Sequence, residues 1–277
     1  MTGGAEINAQ AWTRRRLLAV LAGGVAAALL MLTGLGFAVH YAIQQPADAA
    51  TAGRAVDPSA PVGKARGEQH RDQVAAAPML EVAPEDAREG TPSTTPGPSM
   101  TVPAPTTVGP VEVPTGFPKT PAGAVGQLST IMTTVLQGMS IDHAHAVYEQ
   151  WSLPGATEPS HWRMTKNVQA FLSSSGQQGQ AKAPTTSVTA RPLAGQIKGT
   201  DGPEWVLACV LVDVQAVVAT QSRIAYGHCE RMQWSADQDR WVIAPGPEPA
   251  PAPSTWPGTD RAHEAGWRTW IDDSEGN

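Results

Sequence analysis

The two cysteines of the chain, Cys209 and Cys229, are the first candidates for chemistry, because a pair of thiols can form a disulfide. Each lies in a segment with the apolar pattern of a β-strand. If the segments that begin near 204 and 222 pair as a hairpin with its tip near Ala219, the two cysteines are equidistant from the tip and face each other. The sequence therefore predicts a cross-strand disulfide, with two buried free thiols as the alternative. A catalytic cysteine is disfavoured, because no supporting base is identifiable.

Asp213 is the second candidate, because it interrupts the apolar run VLACVLVDVQAVV and shares a strand face with Cys209 and Leu211. In a concave pocket, such a carboxylate could hold the polar group of a ligand or act as a general base. The alternative is that Asp213 lies near a sheet edge or hairpin end and reaches water or a basic side chain. We favour this alternative, and Asp213 is assigned only as a possible pocket polar group.

The histidines do not predict a metal site. His143 and His145 are two positions apart, so one helix would project them in nearly opposite directions. His228 is next to Cys229 and therefore points to the other face of its strand. The sequence also contains no nucleophile elbow, phosphate-binding loop, dinucleotide fingerprint or H-E-x-x-H motif. We expect no catalytic residue, no cofactor and no bound metal.

Three amphipathic helices precede the strands that carry these residues. The first begins at Thr120 and Pro121, a capping hydroxyl followed by a proline at the first helical position, and ends near Gly138. Ser140 can cap the second helix, and the third follows Pro159. Apolar residues recur at helical spacing in all three segments. The sequence therefore predicts a helical layer in front of the sheet.

Beyond the helices the apolar period becomes that of β-strands, with segments that begin near residues 185, 204, 222 and 240. Short turn signals separate them, so consecutive antiparallel pairing is the economical arrangement. The predicted fold class is α+β. A curved antiparallel sheet wrapped around leading helices corresponds to the cone-shaped nuclear-transport-factor-two-like fold. A plain sheet with helices on one face is the alternative.

A long apolar segment lies near the N-terminus. Residues 17–43 contain no charged side chain, and this stretch exceeds the roughly 20 residues that span a bilayer as a helix. Arg14, Arg15 and Arg16 precede it directly, so the positive-inside rule places residues 1–16 in the cytoplasm and the rest of the chain outside. The alternative is a cleaved export signal, which would place the same domain outside.

Composition divides the remainder of the chain into three parts. Residues 44–116 are rich in Pro, Ala and Thr and contain no aromatic residue, so we expect a disordered linker. Residues 117–246 form the expected exported α+β domain, and residues 247–277 form a Pro-rich acidic tail whose tryptophans we expect to fold back. The net charge is −6 and the only basic run adjoins the apolar segment, so we expect no direct nucleic-acid binding.

Two short motifs carry a family resemblance. Residues 116–124 read GFPKTPAGA, and residues 233–243 read QWSADQDRWVI before a Pro-rich exit and a later Gly-Trp pair. Together with the basic end, single span and spacer, they resemble exported proteins of high-GC Gram-positive bacteria that are linked to conjugative and integrative elements. The plan is also similar to the bitopic scaffold subunit of type IV secretion systems. That resemblance implies an exported domain with the nuclear-transport-factor-two-like fold and a role in a transfer apparatus.

The sequence thus leads to two functional expectations. The first is a non-enzymatic, single-pass protein of the cell membrane, whose extracytoplasmic domain assembles with itself or with other envelope proteins. The second is a membrane-tethered small-ligand-binding module or small enzyme that uses the pocket of the cone, with Asp213 as its polar group.

Overall fold

The computed structural model describes residues 55–59, 62–177 and 179–273, which belong to one compact unit. The helices are α1 (Glu68–Ala76), α2 (Pro121–Gly138), α3 (Ile141–Trp151), α4 (Arg163–Ser174) and α5 (Asp260–Glu264). The strands are β1 (Ser99–Val102), β2 (Thr107–Val108), β3 (Pro114–Thr115), β4 (Ser187–Thr200), β5 (Trp205–Val217), β6 (Gln221–Ser235), β7 (Arg240–Ile243) and β8 (Arg268–Asp272).

The three helices predicted from apolar spacing are confirmed as α2, α3 and α4. The hydroxyl of Thr120 accepts a hydrogen bond from the backbone N–H of Gly123, and Pro121 occupies the first turn of α2. The hydroxyl of Ser140 accepts the N–H of His143 at the start of α3. These caps satisfy backbone donors that a helix cannot pair internally, which is why the helices begin where the sequence predicts.

The main sheet has the strand order β1-β8-β4-β5-β6-β7, curls into a half-barrel and is mostly antiparallel. Strands β4 to β7 pair consecutively and antiparallel, as predicted. In the β5–β6 hairpin Cys209 faces Cys229, so the predicted register is confirmed. With α2, α3 and α4 packed on one face of this sheet, the fold class is α+β, also as predicted.

The inner face of the sheet, defined by Val206, Val210 and the other even-numbered residues of β5, packs against the helices. Helix α2 contributes Leu128, Ile131 and Met132, all fully buried. Alternation along β5 directs one set of side chains to this layer and the other set away from it. The hydrophobic core of the unit therefore lies between the sheet and α2–α4.

The predicted disordered linker is wrong for the described part of residues 44–116. Strand β1 pairs in parallel with β8, and β8 pairs with β4. Met100 and Val102 of β1 are buried in the core. The folded unit consequently includes residues outside the predicted domain bounds of 117–246. The segment around β1 lacks an apolar period of its own, and it buries its apolar side chains only against residues far along the chain. Composition does not reveal such long-range contacts, so the segment was predicted to be disordered.

The outer face of the sheet, defined by the odd-numbered residues of β5, is covered by α1 and by the Pro-rich segments 78–87 and 245–256. The backbone N–H of Ala250 donates to the carbonyl of Ala75, which joins the two covering segments. The start of the predicted tail is thus part of the fold. Trp267 is buried and its indole donates to the carbonyl of Pro253, so it folds back as predicted.

Residues 55–59, 62–177 and 179–273 contain no helix with the length and apolar character needed to cross a bilayer. The predicted span 17–43 lies outside the described residues, as do Arg14, Arg15 and Arg16.

Candidate functional site

The predicted disulfide between Cys209 and Cys229 is present. The two cysteines lie on the outer face of the central hairpin, where they contact a buried apolar cluster that includes Leu211 and Trp267. Because the chain contains only these two cysteines, the disulfide uses both thiols. The pair links two strands and has the position of a structural crosslink.

Asp213 does not line a pocket beneath the helices, so the pocket prediction is wrong. It lies on the outer face of β5, where Arg223 binds its carboxylate through two hydrogen bonds of 2.8 and 2.7 Å. Arg191 approaches from β4 at 3.4 Å. The hydrogen bond from Arg223 holds the pKa of Asp213 below its ordinary value, although burial opposes this effect. The carboxylate therefore reaches basic side chains near a hairpin end, which was the favoured alternative.

A row of polar side chains lies on the inner face instead, and the sequence analysis missed it. This inner polar row consists of Tyr226, His228 and Glu230, which alternate along β6. Their partners on β5 include Val210 and Val212 of the inner core. His228 and Glu230 are almost completely buried, so these are polar groups in an otherwise apolar interior.

Hydrogen bonds connect the inner polar row to α4. The indole of Trp162 donates to Oε1 of Glu230 at 2.7 Å, and Nε2 of His228 lies 2.9 Å from the same oxygen. The hydroxyl of Tyr226 is 3.2 Å from Nδ1 of His228, and the amide of Asn167 donates to that hydroxyl at 2.6 Å. With the proton on Nε2, His228 donates to Glu230 and accepts from Tyr226, so every hydrogen bond in this network has one donor and one acceptor.

Local structure explains how α4 contributes to this chain. A short 3-10 turn at Pro159–His161 leads to Trp162, which is the residue that precedes α4. The ring of Trp162 packs on that of Tyr148, with centroids 4.8 Å apart. Asn167 follows one turn later on the same helix. Both donors therefore point from one end of α4 toward β6.

Two cavities lie beside the inner polar row, along the part of β6 that β7 does not pair. The smaller, about 200 Å³, is lined by Tyr226, His228 and Asn167. The larger, about 280 Å³, is lined by Glu230 and by the rings of Tyr148 and Trp162. An ion pair between Arg163 and Glu248 borders both cavities. The row thus forms one wall of a divided cleft.

The electrostatics of the cleft keep its phenols protonated. Burial raises the pKa of Tyr148, and the negative charge of Glu230 raises it further. Burial also raises the pKa of Tyr226, against the opposing hydrogen bond from Asn167. Both hydroxyls are therefore hydrogen-bond donors at neutral pH. The arrangement can form hydrogen bonds to polar ligand groups at the cavities that it lines.

One sequence signal could have revealed this row. Tyr226, His228 and Glu230 are two positions apart, so in a strand they share one face. The alternation of His228 with its neighbour Cys229 does not by itself indicate the row. Among the described residues, no three His, Cys, Asp or Glu side chains are grouped as a metal site would require.

The described residues define an α+β domain with a curled, mostly antiparallel sheet and a polar row in its cleft. Comparisons of the chain with protein-family models, curated proteins and solved structures find no match. Function therefore has to be inferred from the residues of the chain itself.

Proposed function

We propose that this chain is a non-enzymatic, single-pass membrane protein whose extracytoplasmic domain assembles with itself or with other envelope proteins. The observation that supports the extracytoplasmic location in this proposal is the disulfide between β5 and β6. Disulfides persist in oxidising compartments and are rare in the reducing cytoplasm. The apolar segment 17–43 supplies the anchor in this proposal, with residues 1–16 on the cytoplasmic side.

The arrangement of elements supports a more specific assignment within this proposal. Helices α2–α4 precede the long antiparallel strands, and the sheet curls around the helical side. This order favours the cone-shaped nuclear-transport-factor-two-like fold. With the resemblance of residues 116–124 and 233–243, it supports a role as an accessory scaffold of a conjugative transfer or secretion apparatus. The net charge of −6 argues against direct nucleic-acid binding.

Cysteine labelling on intact cells tests the topology. Both native cysteines are in the disulfide, so an introduced cysteine is the only free thiol. Val218 is 41% exposed at the tip of the β5–β6 hairpin, and Val218→Cys should react with a membrane-impermeant maleimide. Ala5→Cys is the matched control and should react only after the cells are lysed. Labelling of Ala5→Cys on intact cells, with protection of Val218→Cys, would contradict the proposed orientation.

Light scattering and crosslinking test the assembly. The full-length protein in detergent should form a defined oligomer, or a photo-crosslinker introduced near Val218 should recover an envelope protein from cells. Wild-type protein without the crosslinker is the control. A protein that stays monomeric at high concentration, and that recovers no envelope partner, would contradict the assembly role without affecting the topology.

The inner polar row supports a second candidate function, a membrane-tethered domain that binds a small ligand. Asp213, the polar anchor predicted from the sequence, lies on the other face of the sheet. In this candidate the polar anchor is Glu230, whose side chain borders a cavity of about 280 Å³. Binding of a small molecule to the full-length protein, abolished by a substitution in the row, is the test of this candidate.

A further inference from the structure

We propose that the cleft binds an extended polypeptide segment of another envelope protein, which adds a strand to the edge of β6 that β7 leaves unpaired. This inference rests on the assembly part of the proposed function, and it names the surface and the kind of partner. It depends on three features: backbone groups without a strand beside them, cavities that follow the same edge, and a covering segment that does not pair with it.

The first feature is the part of β6 that has no strand on its second edge. Strand β7 pairs only with Met232–Ser235 of β6. The ladder ends where the N–H of Ala244 donates to the carbonyl of Arg231. Because the backbone groups of alternate strand residues point to the same edge, those of Gly227 and Cys229 point away from β5 as those of Arg231 do. Residues 227–231 therefore form an unpaired edge.

The hydrogen bonds of the unpaired edge show what kind of ligand fits it. The N–H of Gly227 donates to Oγ of Ser254 at 3.0 Å. Among the described residues, no hydrogen-bond partner reaches the N–H or the carbonyl of Cys229, which is a buried residue. An added strand would pair these groups directly, because it supplies an N–H and a carbonyl at the same spacing. Polypeptide backbone is the ligand chemistry that provides both.

The second feature is that the two cavities of the cleft follow this edge. Every residue of β6 from Tyr226 to Arg231 lines one of them. Neighbouring side chains of a strand point to opposite faces, so a run of lining residues without gaps indicates that the cavities adjoin the backbone edge itself. Residues 227–231 extend over about 13 Å, which suits the pairing of about four or five residues.

The lining of the cleft limits which segment can bind. Its charged and titratable side chains include both signs: Arg163, Lys166, Arg231, His161, Glu230 and Glu248. A strongly acidic or strongly basic segment would meet like charges, so the inferred segment has little net charge. The extended segments 78–87 and 91–106 of this chain contain several prolines, which cannot donate to a ladder. We therefore infer that the segment comes from another protein.

The third feature is the covering segment, residues 245–254, which we call the strap. Among the described residues, the strap forms no backbone–backbone hydrogen bond with β6. Side chains hold it instead: Nε of Arg231 donates to the carbonyl of Pro247, and Arg163 pairs with Glu248. The side chains of this ion pair are 39% and 47% exposed, and ion pairs with such exposure are weak. The strap can therefore move aside without breaking a strand ladder.

Peptide binding to the full-length protein in detergent tests the inference. The probe is a seven-residue peptide in which Thr and Val alternate between terminal Glu residues, and the matched control is the same peptide with every backbone amide N-methylated. The unmodified peptide should bind at least about tenfold more tightly in calorimetric titration, because only it can donate backbone hydrogen bonds to the edge. It should also slow hydrogen exchange in residues 227–231 by at least about fivefold and leave the hairpin tip, residues 217–221, unchanged.

Two variants test the role of the strap. Glu248→Gln breaks the ion pair with Arg163, so the strap should move aside more readily and the peptide should bind about two- to fivefold more tightly. Glu204→Gln breaks the exposed ion pair with Lys119 and is the matched control, which should bind the peptide as the wild type does.

Three results would overturn the inference: equal binding of the two peptides, binding of neither, or slowed exchange in a segment other than 227–231. None of them would contradict the assembly role, because the crosslinking experiment measures assembly through any surface. Equal peptide binding by Glu248→Gln and Glu204→Gln would show that the ion pair does not close the cleft, and the strap part of the inference would be wrong. If a variant fails to fold, the comparison of the two peptides on the wild-type protein still decides.

Discussion

The two faces of the central hairpin are stabilised in different ways. On the inner face, side chains such as Val210 pack against α2, α3 and α4 with complementary apolar surfaces. On the outer face, a disulfide and an ion pair link β5 to β6, and a buried lysine joins the sheet to the covering segment at the end of α1. One face is covered by the three helices α2–α4, and the other by the short helix α1 and by extended, Pro-rich chain.

This difference shows how one sheet can be covered by two kinds of sequence. A helix brings its own backbone hydrogen bonds and needs only an apolar stripe to pack. An extended segment has unpaired backbone groups, so it needs specific polar partners on the sheet. Lys198 supplies such partners, because its ammonium group donates to the carbonyls of Ala75 and Ala77 at the end of α1.

Removing buried apolar atoms should have the largest effect, and the effect should differ between the faces. Leu128 and Leu211 are both fully buried, the first against the helical layer and the second under the extended cover. Leu128→Ala should lower the free energy of unfolding by about 2–5 kcal/mol, and Leu211→Ala by an amount near the lower end of that range. Extended segments can move into a cavity more readily than packed helices. Urea denaturation measures both, and equal losses would remove this distinction between the faces.

Removing the disulfide should be the next largest effect, and it acts only on the outer face. Cys209 and Cys229 are 20 residues apart, and closing a loop of this size contributes about 3 kcal/mol in the chain-entropy model. The double variant Cys209→Ala/Cys229→Ala should lose about that much stability in a denaturation experiment. Dithiothreitol should destabilise the wild type by a similar amount and leave the double variant unchanged. A loss below about 1 kcal/mol would show that the covering segments alone secure this face.

The buried lysine gives the outer face a pH dependence between about pH 8 and 10.5. Burial lowers the pKa of Lys198 to about 8 from its ordinary value of 10.5. Between these values the unfolded chain binds more protons than the folded one, so this group makes stability rise with pH in that window. The rise should be about 3 kcal/mol at most, and Lys198→Met should abolish it. Denaturation midpoints of both proteins from pH 7.5 to 10.5 provide the measurement, and parallel curves would contradict the assignment.

An ion pair at the start of α1 should have a local effect. The carboxylate of Asp201 accepts from the backbone N–H groups of Arg66 and Gly67 and from the side chain of Arg71. Burial opposes ionisation, but these hydrogen bonds lower the pKa of Asp201 overall. Asp201→Asn should weaken the attachment of α1 by about 1–3 kcal/mol. Hydrogen exchange should therefore accelerate in residues 66–76 and stay unchanged in α2, whereas equal acceleration in both would contradict a local role.

The same contrast explains which parts of the structure could be predicted from the sequence. Helix α2 and the β5–β6 register follow from local signals: a Thr-Pro cap, a helical apolar stripe and two cysteines placed symmetrically about a turn. Strand β1 has only four residues, and it pairs with β8 near the opposite end of the described chain. No local pattern encodes that contact. The inner polar row has a local signal in β6, but its meaning depends on Trp162 and Asn167, which the strand sequence does not specify.

An exposed ion pair at the rim of the sheet should have the smallest effect. Lys119 pairs with Glu204, and their side chains are 38% and 57% exposed. Water and salt screen such charges, so Lys119→Ala should change the free energy of unfolding by less than about 1 kcal/mol in urea denaturation. Asp201→Asn also removes one charge of an ion pair, but the carboxylate of Asp201 is completely buried, so this substitution should cost more. Equal losses would show that burial does not strengthen the polar contacts of the outer face. The disulfide and the buried apolar surface would then account for the stability of that face.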